Sequence, residues 1–434
     1  MLSNAGIELC ESVDIEFATD GDGEFKHFFG YYDKSPFDNT GDRILCHRYR
    51  GDDKSLVTSE HSCEVGFLSV TGGKFRSLGT TKAFNWQQGS MLQWLGPDFG
   101  SAVIYNDRVA NRYVSRIIDI ETNSVRTLER TIYSVSPDGR WAVSPNFERH
   151  EFCRPGYCYA GVADPHWKTP HDEADGIFCI DLESGSSTLI ISVAQLRAIR
   201  PLSSMNTSEQ YVEHMLVSPG GERFIFLHRW WLADGGIYTR MYSANRHGGE
   251  LFLFPDSGNY SHQTWRNEHE VVVTGRSVSI ASSLRYSTGL VRHLVRPLVK
   301  IARRCTSIIG YKATNRIIPY GYLHLMDCGN AFPMVDDGSL NDGGHPSFRP
   351  GDLDCMLSDT YPNNEGWQEL YLFRVAAKKR ILLGRFWSPP EYRAKGYRCD
   401  LHPRWDRSGK RVCIDSLASG SRQMYVLNVE KALG

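Results

Sequence analysis

The chain of 434 residues has no run approaching the roughly 18 consecutive apolar residues that a membrane-spanning helix needs. Its first residues, Met1-Leu-Ser-Asn-Ala-Gly-Ile-Glu8, lack the basic segment and apolar core of a secretory leader, so a cytoplasmic location is expected. No Cys-x-x-Cys occurs among the 11 cysteines, and the odd count and placement inside apolar runs such as Ile44-Leu-Cys46 favour buried thiols over a disulfide framework. A formal net charge of −1 removes any general attraction for nucleic acid. Also missing are a Gly-x-Ser-x-Gly elbow, His-Glu-x-x-His, a phosphate-binding loop and a dinucleotide glycine fingerprint, which removes several large enzyme classes.

What is present is a repeat. His262-Gln-Thr-Trp265, His345-Pro-Ser-Phe348 and His402-Pro-Arg-Trp405 each lead into a turn and then an apolar run, namely Val271-Val-Val273, Cys355-Met-Leu357 and Arg411-Val-Cys-Ile414. The same cadence recurs upstream at Ser35-Pro-Phe37, Gln93-Trp94, Ser134-Val135 and His214-Met-Leu216, making seven units, each followed by further β-rich segments. Four short strands per unit, seven times over, predict an all-β fold, a seven-bladed β-propeller forming a single domain over residues 1–434. The last unit ends too near the C-terminus for a fourth strand, and Ser12-Val-Asp-Ile-Glu-Phe17 alternates before the first unit. The N-terminal strand is therefore expected to complete the last blade.

In such a fold the start of each first strand and the end of each second strand share a face. One mouth of the channel should then collect His262, His345 and His402 with Arg108, His150, Arg154, His228, Arg229, Arg276 and Tyr361. Three equivalent histidines are read either as interblade hydrogen bonds or as ligands of a divalent ion, Mn or Zn, for which imidazole nitrogen is a suitable donor.

Asn85-Trp-Gln-Gln-Gly-Ser-Met-Leu-Gln-Trp94, Phe226-Leu-His-Arg-Trp230 with Thr239-Arg-Met-Tyr242, Ser261-His-Gln-Thr-Trp265 and Cys399-Asp-Leu-His-Pro-Arg-Trp405 carry a resemblance to the seven-bladed propeller polysaccharide lyases. These are the oligogalacturonate lyases and ulvan lyase-like propellers, with their TolB-like strand-turn motif. The resemblance implies His228 as general base and His262 and His345 as metal ligands, with His402 or Cys399 completing the set where Gly343-Gly-His-Pro-Ser347 departs from the family's ligand run. It implies β-elimination from a uronate in an acidic oligo- or polysaccharide, with Arg229 and Arg154 neutralising the carboxylate and Tyr157 or Tyr159 serving the leaving oxygen. Asn85, Gln87, Gln88, Arg108, His150, Arg276 and Tyr361 are the expected substrate contacts.

Between Glu270 and Asp327 no acidic residue occurs, while nine Lys and Arg do. Leu290–Arg304 places Arg292, Arg296, Lys300 and Arg303 on one helical face and Val291, Leu294, Val295, Leu298 and Ile301 on the other, with Pro297 set to kink it. A basic amphipathic helical insert over 284–316, in the fifth blade, is expected either to lie solvated on the propeller flank or to meet an anionic membrane surface through residues 290–304. The membrane reading keeps one alternative to a lyase open, a peripheral polysaccharide-biosynthesis protein, whether sugar transferase or accessory; a third reading, from another class, is a non-catalytic protein-binding propeller of the TolB type.

Overall fold

A computed structural model describes residues 6–20, 23–167, 173–276, 320–329, 331–333, 340, 343–393 and 396–434. Seven antiparallel sheets follow one another along the chain, forming a seven-bladed β-propeller. Blade 1 runs from Phe25 to Thr81, blade 2 from Gln93 to Leu128 and blade 3 from Ser134 to Ser192. Blade 4 spans Gln210–Leu253, blade 5 Tyr260–Pro333, blade 6 Ser347–Trp387 and blade 7 Arg404–Asn428.

The alternating apolar residues that mark each strand are buried between adjacent blades. Trp94, Val103 and Ile118 of blade 2 pack with Leu45, Val65 and Phe67 of blade 1, and Trp265 and Val271 of blade 5 pack with Ile225, Leu227 and Met241 of blade 4. Two tryptophans of the repeat also staple neighbouring blades. Trp94 donates its indole N–H to the Pro36 carbonyl at 2.8 Å and Trp265 to that of Leu216 at 3.0 Å. A buried indole N–H usually finds such a partner, though that of Trp405 has none among the described residues.

The N-terminal segment spans two blades. Asp14–Ala18 is the outer strand of blade 7, antiparallel to Gln423–Asn428 with Asp14 opposite Asn428. Ile7–Leu9, for which no strand was expected, adds a fifth strand to blade 6, with Ile7 opposite Phe386. Ile7 and Val13 are buried in one apolar cluster with Leu383, Phe386 and Leu427.

Two short helices interrupt the β pattern. Helix α1, Phe147–Cys153, follows the second strand of blade 3 and is capped by Asn146, whose side chain accepts the Arg149 N–H; α2 is Val193–Ala198. The amphipathic segment expected over 284–316 lies outside the described residues, as does any membrane contact it makes. Its flanks are ordinary ladder, with Arg276 opposite Tyr320 in blade 5. Among the described residues no helix is long and apolar enough to cross a membrane.

Candidate active site

A cavity of about 420 Å³ opens at one mouth of the channel, within the usual size range for small-molecule sites. It is lined by Gln87, Gln88, Arg154, Tyr157, His262, His345, Tyr361 and His402, all expected from the sequence, together with Tyr31, His214, Ser261, Arg398 and Asp400.

The three histidines of the repeat meet here. The ring centroids of His262 and His345 are 4.3 Å apart, as are those of His345 and His402. His345 donates its Nδ1–H to Asp359 at 2.8 Å, and His402 donates its own to the Gly30 carbonyl at 2.7 Å. A carboxylate and a carbonyl only accept, so Nδ1 carries a proton in both rings and Nε2 is the nitrogen left to act as a ligand. Ligand atoms of His345, His402 and Asp400 lie within 4.8 Å of one another. Two imidazoles presenting Nε2 and one carboxylate form a donor set that suits Zn or Mn, and the Asp359–His345 bond is the kind of outer contact that orients metal ligands.

Burial drives His402 and His262 well below the usual imidazole range, and their neighbouring histidines and arginines push the same way. His402 ties blade 7 to blade 1 through Gly30, and it faces the cavity.

Charge at the site is balanced in pairs. Arg398 holds both oxygens of Asp400 while its guanidinium lies 4.6 Å from the Tyr361 ring centroid. Arg154 lies 3.9 Å from the Tyr157 centroid and donates to buried Glu213 at 2.8 Å. Arg229 donates to the same carboxylate and to the Tyr260 carbonyl, and His150 Nε2 lies 2.7 Å from it. Arg229 and His150 therefore line no part of the cavity; they hold Glu213, which holds Arg154.

Other expected residues are also placed outside the cavity. His228 is fully buried, donates its Nε2–H to Gln210 Oε1 at 3.0 Å, and packs against Trp230 and Tyr242. On its strand Phe226, His228 and Trp230 share one face and Arg229 takes the other, so alternation carries the expected base away from the cavity. Tyr159 stacks on Phe147 and receives a hydrogen bond from Asn106. Arg108 binds the carbonyls of Ser59 and Ala160. Asn85 accepts the main-chain N–H groups of Gln87 and Gln88, which fixes the turn presenting those two amides. Arg276 sits at a blade-5 strand end against the Tyr320 ring. Cys399, the alternative ligand, is buried with Tyr392 and Leu417, its thiol pushed up to about 12 chiefly by burial. The neighbouring Asp400 faces the cavity instead.

His214 was legible as a repeat position but not as a site residue. A bulge between Glu213 and Leu216, with His214 at φ 52°, turns both Glu213 and His214 inward where strict alternation would separate them. The imidazole stacks on Tyr31, with centroids 5.1 Å apart, and its Nδ1 lies 3.2 Å from the Tyr133 hydroxyl. His402, at φ 43°, is the second cavity histidine in this sparsely populated region, a conformation that clusters at functional sites.

Solved structures similar to the chain include two oligogalacturonate lyases. An oligogalacturonate lyase in complex with manganese matches 96% of this chain and 92% of its own, with TM-score 0.56 and 14% identity. The lyase from Vibrio parahaemolyticus matches 99% of both chains, with TM-score 0.53 and 12% identity. At these identities the shared property is the fold. No family model and no curated protein matches the sequence.

Proposed function

We propose that the chain is a carbohydrate-active propeller that cleaves a uronate-containing oligo- or polysaccharide by β-elimination. The observation that carries this reading is the convergence of His345, His402 and Asp400 with Arg154 and Arg398 on one cavity. The structural likeness to a manganese-bound oligogalacturonate lyase supports it.

A divalent ion held by His345, His402 and Asp400 would oppose the negative charge that develops as the uronate C5 proton leaves. Arg154 and Arg398 supply fixed positive charge that recognises the substrate carboxylates, each backed by its own acid so that the pair stays oriented. Of the four imidazoles that line the cavity, His214 and His262 lie outside the His345–His402–Asp400 group, and His214 serves as the base that accepts the C5 proton. The released electron pair forms the C4–C5 double bond, the C4–O4 bond breaks, and the leaving oxygen takes a proton from Tyr157 or from water. Gln87 and Gln88 offer amides to sugar hydroxyls.

The product carries a double bond conjugated to its carboxylate and absorbs in the ultraviolet. Rising absorbance on a panel of uronate-containing polysaccharides, with Mn or Zn added, is the expected result. Silence across the panel would overturn the reading and favour a binding or biosynthetic role for the same cavity.

A further inference from the structure

Large apolar side chains exposed among the described residues include three aromatics, Phe152 (47%), Trp167 (47%) and Trp231 (38%), and these come together. The Phe152 and Trp167 ring centroids are 6.0 Å apart. Trp231, at the end of the second strand of blade 4, donates its indole N–H to the Cys153 carbonyl at 2.8 Å, next in the chain to Phe152. Helix α1 buries Phe147, Arg149, His150 and Cys153 and leaves Phe152 outward.

The group is held in place. Arg149 is almost fully buried, forms ion pairs with Asp164, Asp175 and Glu209, and donates to the carbonyl of His166 at 2.7 Å, so it fastens the residue before Trp167 to the same helix that carries Phe152. Two hydrogen bonds to main-chain carbonyls thus anchor Trp231 and the residue before Trp167 to the helix that carries Phe152. A cluster of this kind normally turns inward, since each ring forfeits apolar burial by staying at the surface.

The patch and the cavity are brought near each other by the chain. Arg154 lines the cavity and is two residues from Phe152, so their Cα atoms are at most about 7.6 Å apart. One short segment therefore presents an aromatic ring at the surface and a guanidinium inside.

We propose that Phe152, Trp167 and Trp231 form a platform for the C–H faces of sugar rings, binding the part of a saccharide chain that extends out of the cavity. Flat, rigid aromatics lose little freedom on binding and match the apolar face of a pyranose, while the acidic groups of the same chain are met by Arg154 and Arg398 inside. This inference rests on the carbohydrate reading above, and it makes the protein a binder of chains longer than the cavity holds.

The test is calorimetric binding of uronate disaccharides and their matching polymers to the wild type and to the double variant Phe152→Ala/Trp167→Ala, with product absorbance followed in parallel. The wild type is expected to bind a polymer more tightly than its disaccharide, and the variant to lose about ten-fold in the polymer-to-disaccharide affinity ratio. An unchanged ratio, or a wild type that binds polymer no better than disaccharide, overturns the platform while leaving the lyase reading intact. Chain-length-dependent binding that the variant loses, without any unsaturated product, supports the platform and overturns the lyase reading. A wild type that binds no saccharide overturns both.

Discussion

The Asp359 carboxylate receives the Nδ1–H of His345 on both oxygens, at 2.8 and 2.9 Å, and also accepts the main-chain N–H of His402 at 3.2 Å. One buried carboxylate in blade 6 thus sets the ring of one candidate ligand and the backbone of the other. Replacing it isosterically, Asp359→Asn, is expected to preserve the fold and lower Mn or Zn affinity about 10- to 100-fold, the usual effect of losing an outer partner of a metal-binding histidine. Calorimetric titration with each metal checks this, and equal affinities for variant and wild type would reject the assigned orientation.

Glu213 makes a different kind of prediction. Burial alone would raise its pKa, but Arg154 and then Arg229 outweigh burial and hold it well below the usual carboxylate range. Removing its charge by Glu213→Gln leaves two guanidinium groups without a counter-charge in a dry site, a change expected to cost about 3–5 kcal/mol at neutral pH. Because the folded pKa is depressed, this stability is present above the unfolded value of about 4.3 and drains away as pH falls below it. Urea unfolding should therefore show a gap between wild type and variant at pH 7 that narrows in acid; a gap independent of pH would contradict the account.

His228 should matter to stability more than to turnover. Its pKa is lowered to about 3, chiefly by burial and secondarily by Arg240, against about 6.5 in the unfolded chain. The unfolded state therefore binds the extra proton first, so stability is complete above pH 6.5 and falls as the pH drops through the interval down to the folded value. The loss from this one residue reaches about 2 kcal/mol at pH 5. His228→Gln, which can still meet Gln210, is expected to flatten that slope while metal affinity stays at the wild-type level. Loss of metal binding in this variant would return His228 to the site.

The fold was readable because its signals are periodic and redundant. The turn sequences and alternating apolar runs recur around the ring, so a misread member changes little, and the histidines of three units marked the correct mouth. Individual side chains were harder because a strand sends neighbours to opposite faces. His228 and Arg229 were read together, yet alternation separates them, and neither reaches the cavity. His214 stood in the fourth unit at the position of the other three histidines, but only the bulge after Glu213 reveals that it turns inward. Asp400 lay two residues before His402 in a run already singled out. What concealed its role was its bidentate pairing with Arg398, a contact set by side-chain geometry rather than by spacing.

The N-terminal segment offers the last test. Ile7–Leu9 covers the outer edge of blade 6 and Asp14–Ala18 that of blade 7, and the turn between them is tied down by the Cys10 N–H to the Leu383 carbonyl at 3.0 Å. Starting the chain at Thr19 removes both strands and uncovers Lys379–Trp387 and Gln423–Asn428 as unpaired edges, the latter reading Gln-Met-Tyr-Val-Leu-Asn. It also strips Ile7 and Val13 from the apolar cluster beneath, where full burial of a Val or Ile side chain contributes about 1.5–3 kcal/mol. Exposed edges with apolar sequence pair with one another between molecules. The truncated chain is expected to melt at lower temperature and to scatter light in proportion to its concentration, whereas Ile15→Lys, which places a charge on the surface of the outer strand and leaves both edges covered, should stay monodisperse at the wild-type melting temperature within a few degrees. A truncated protein as stable and as monodisperse as the full chain would show that the ring closes without the strap.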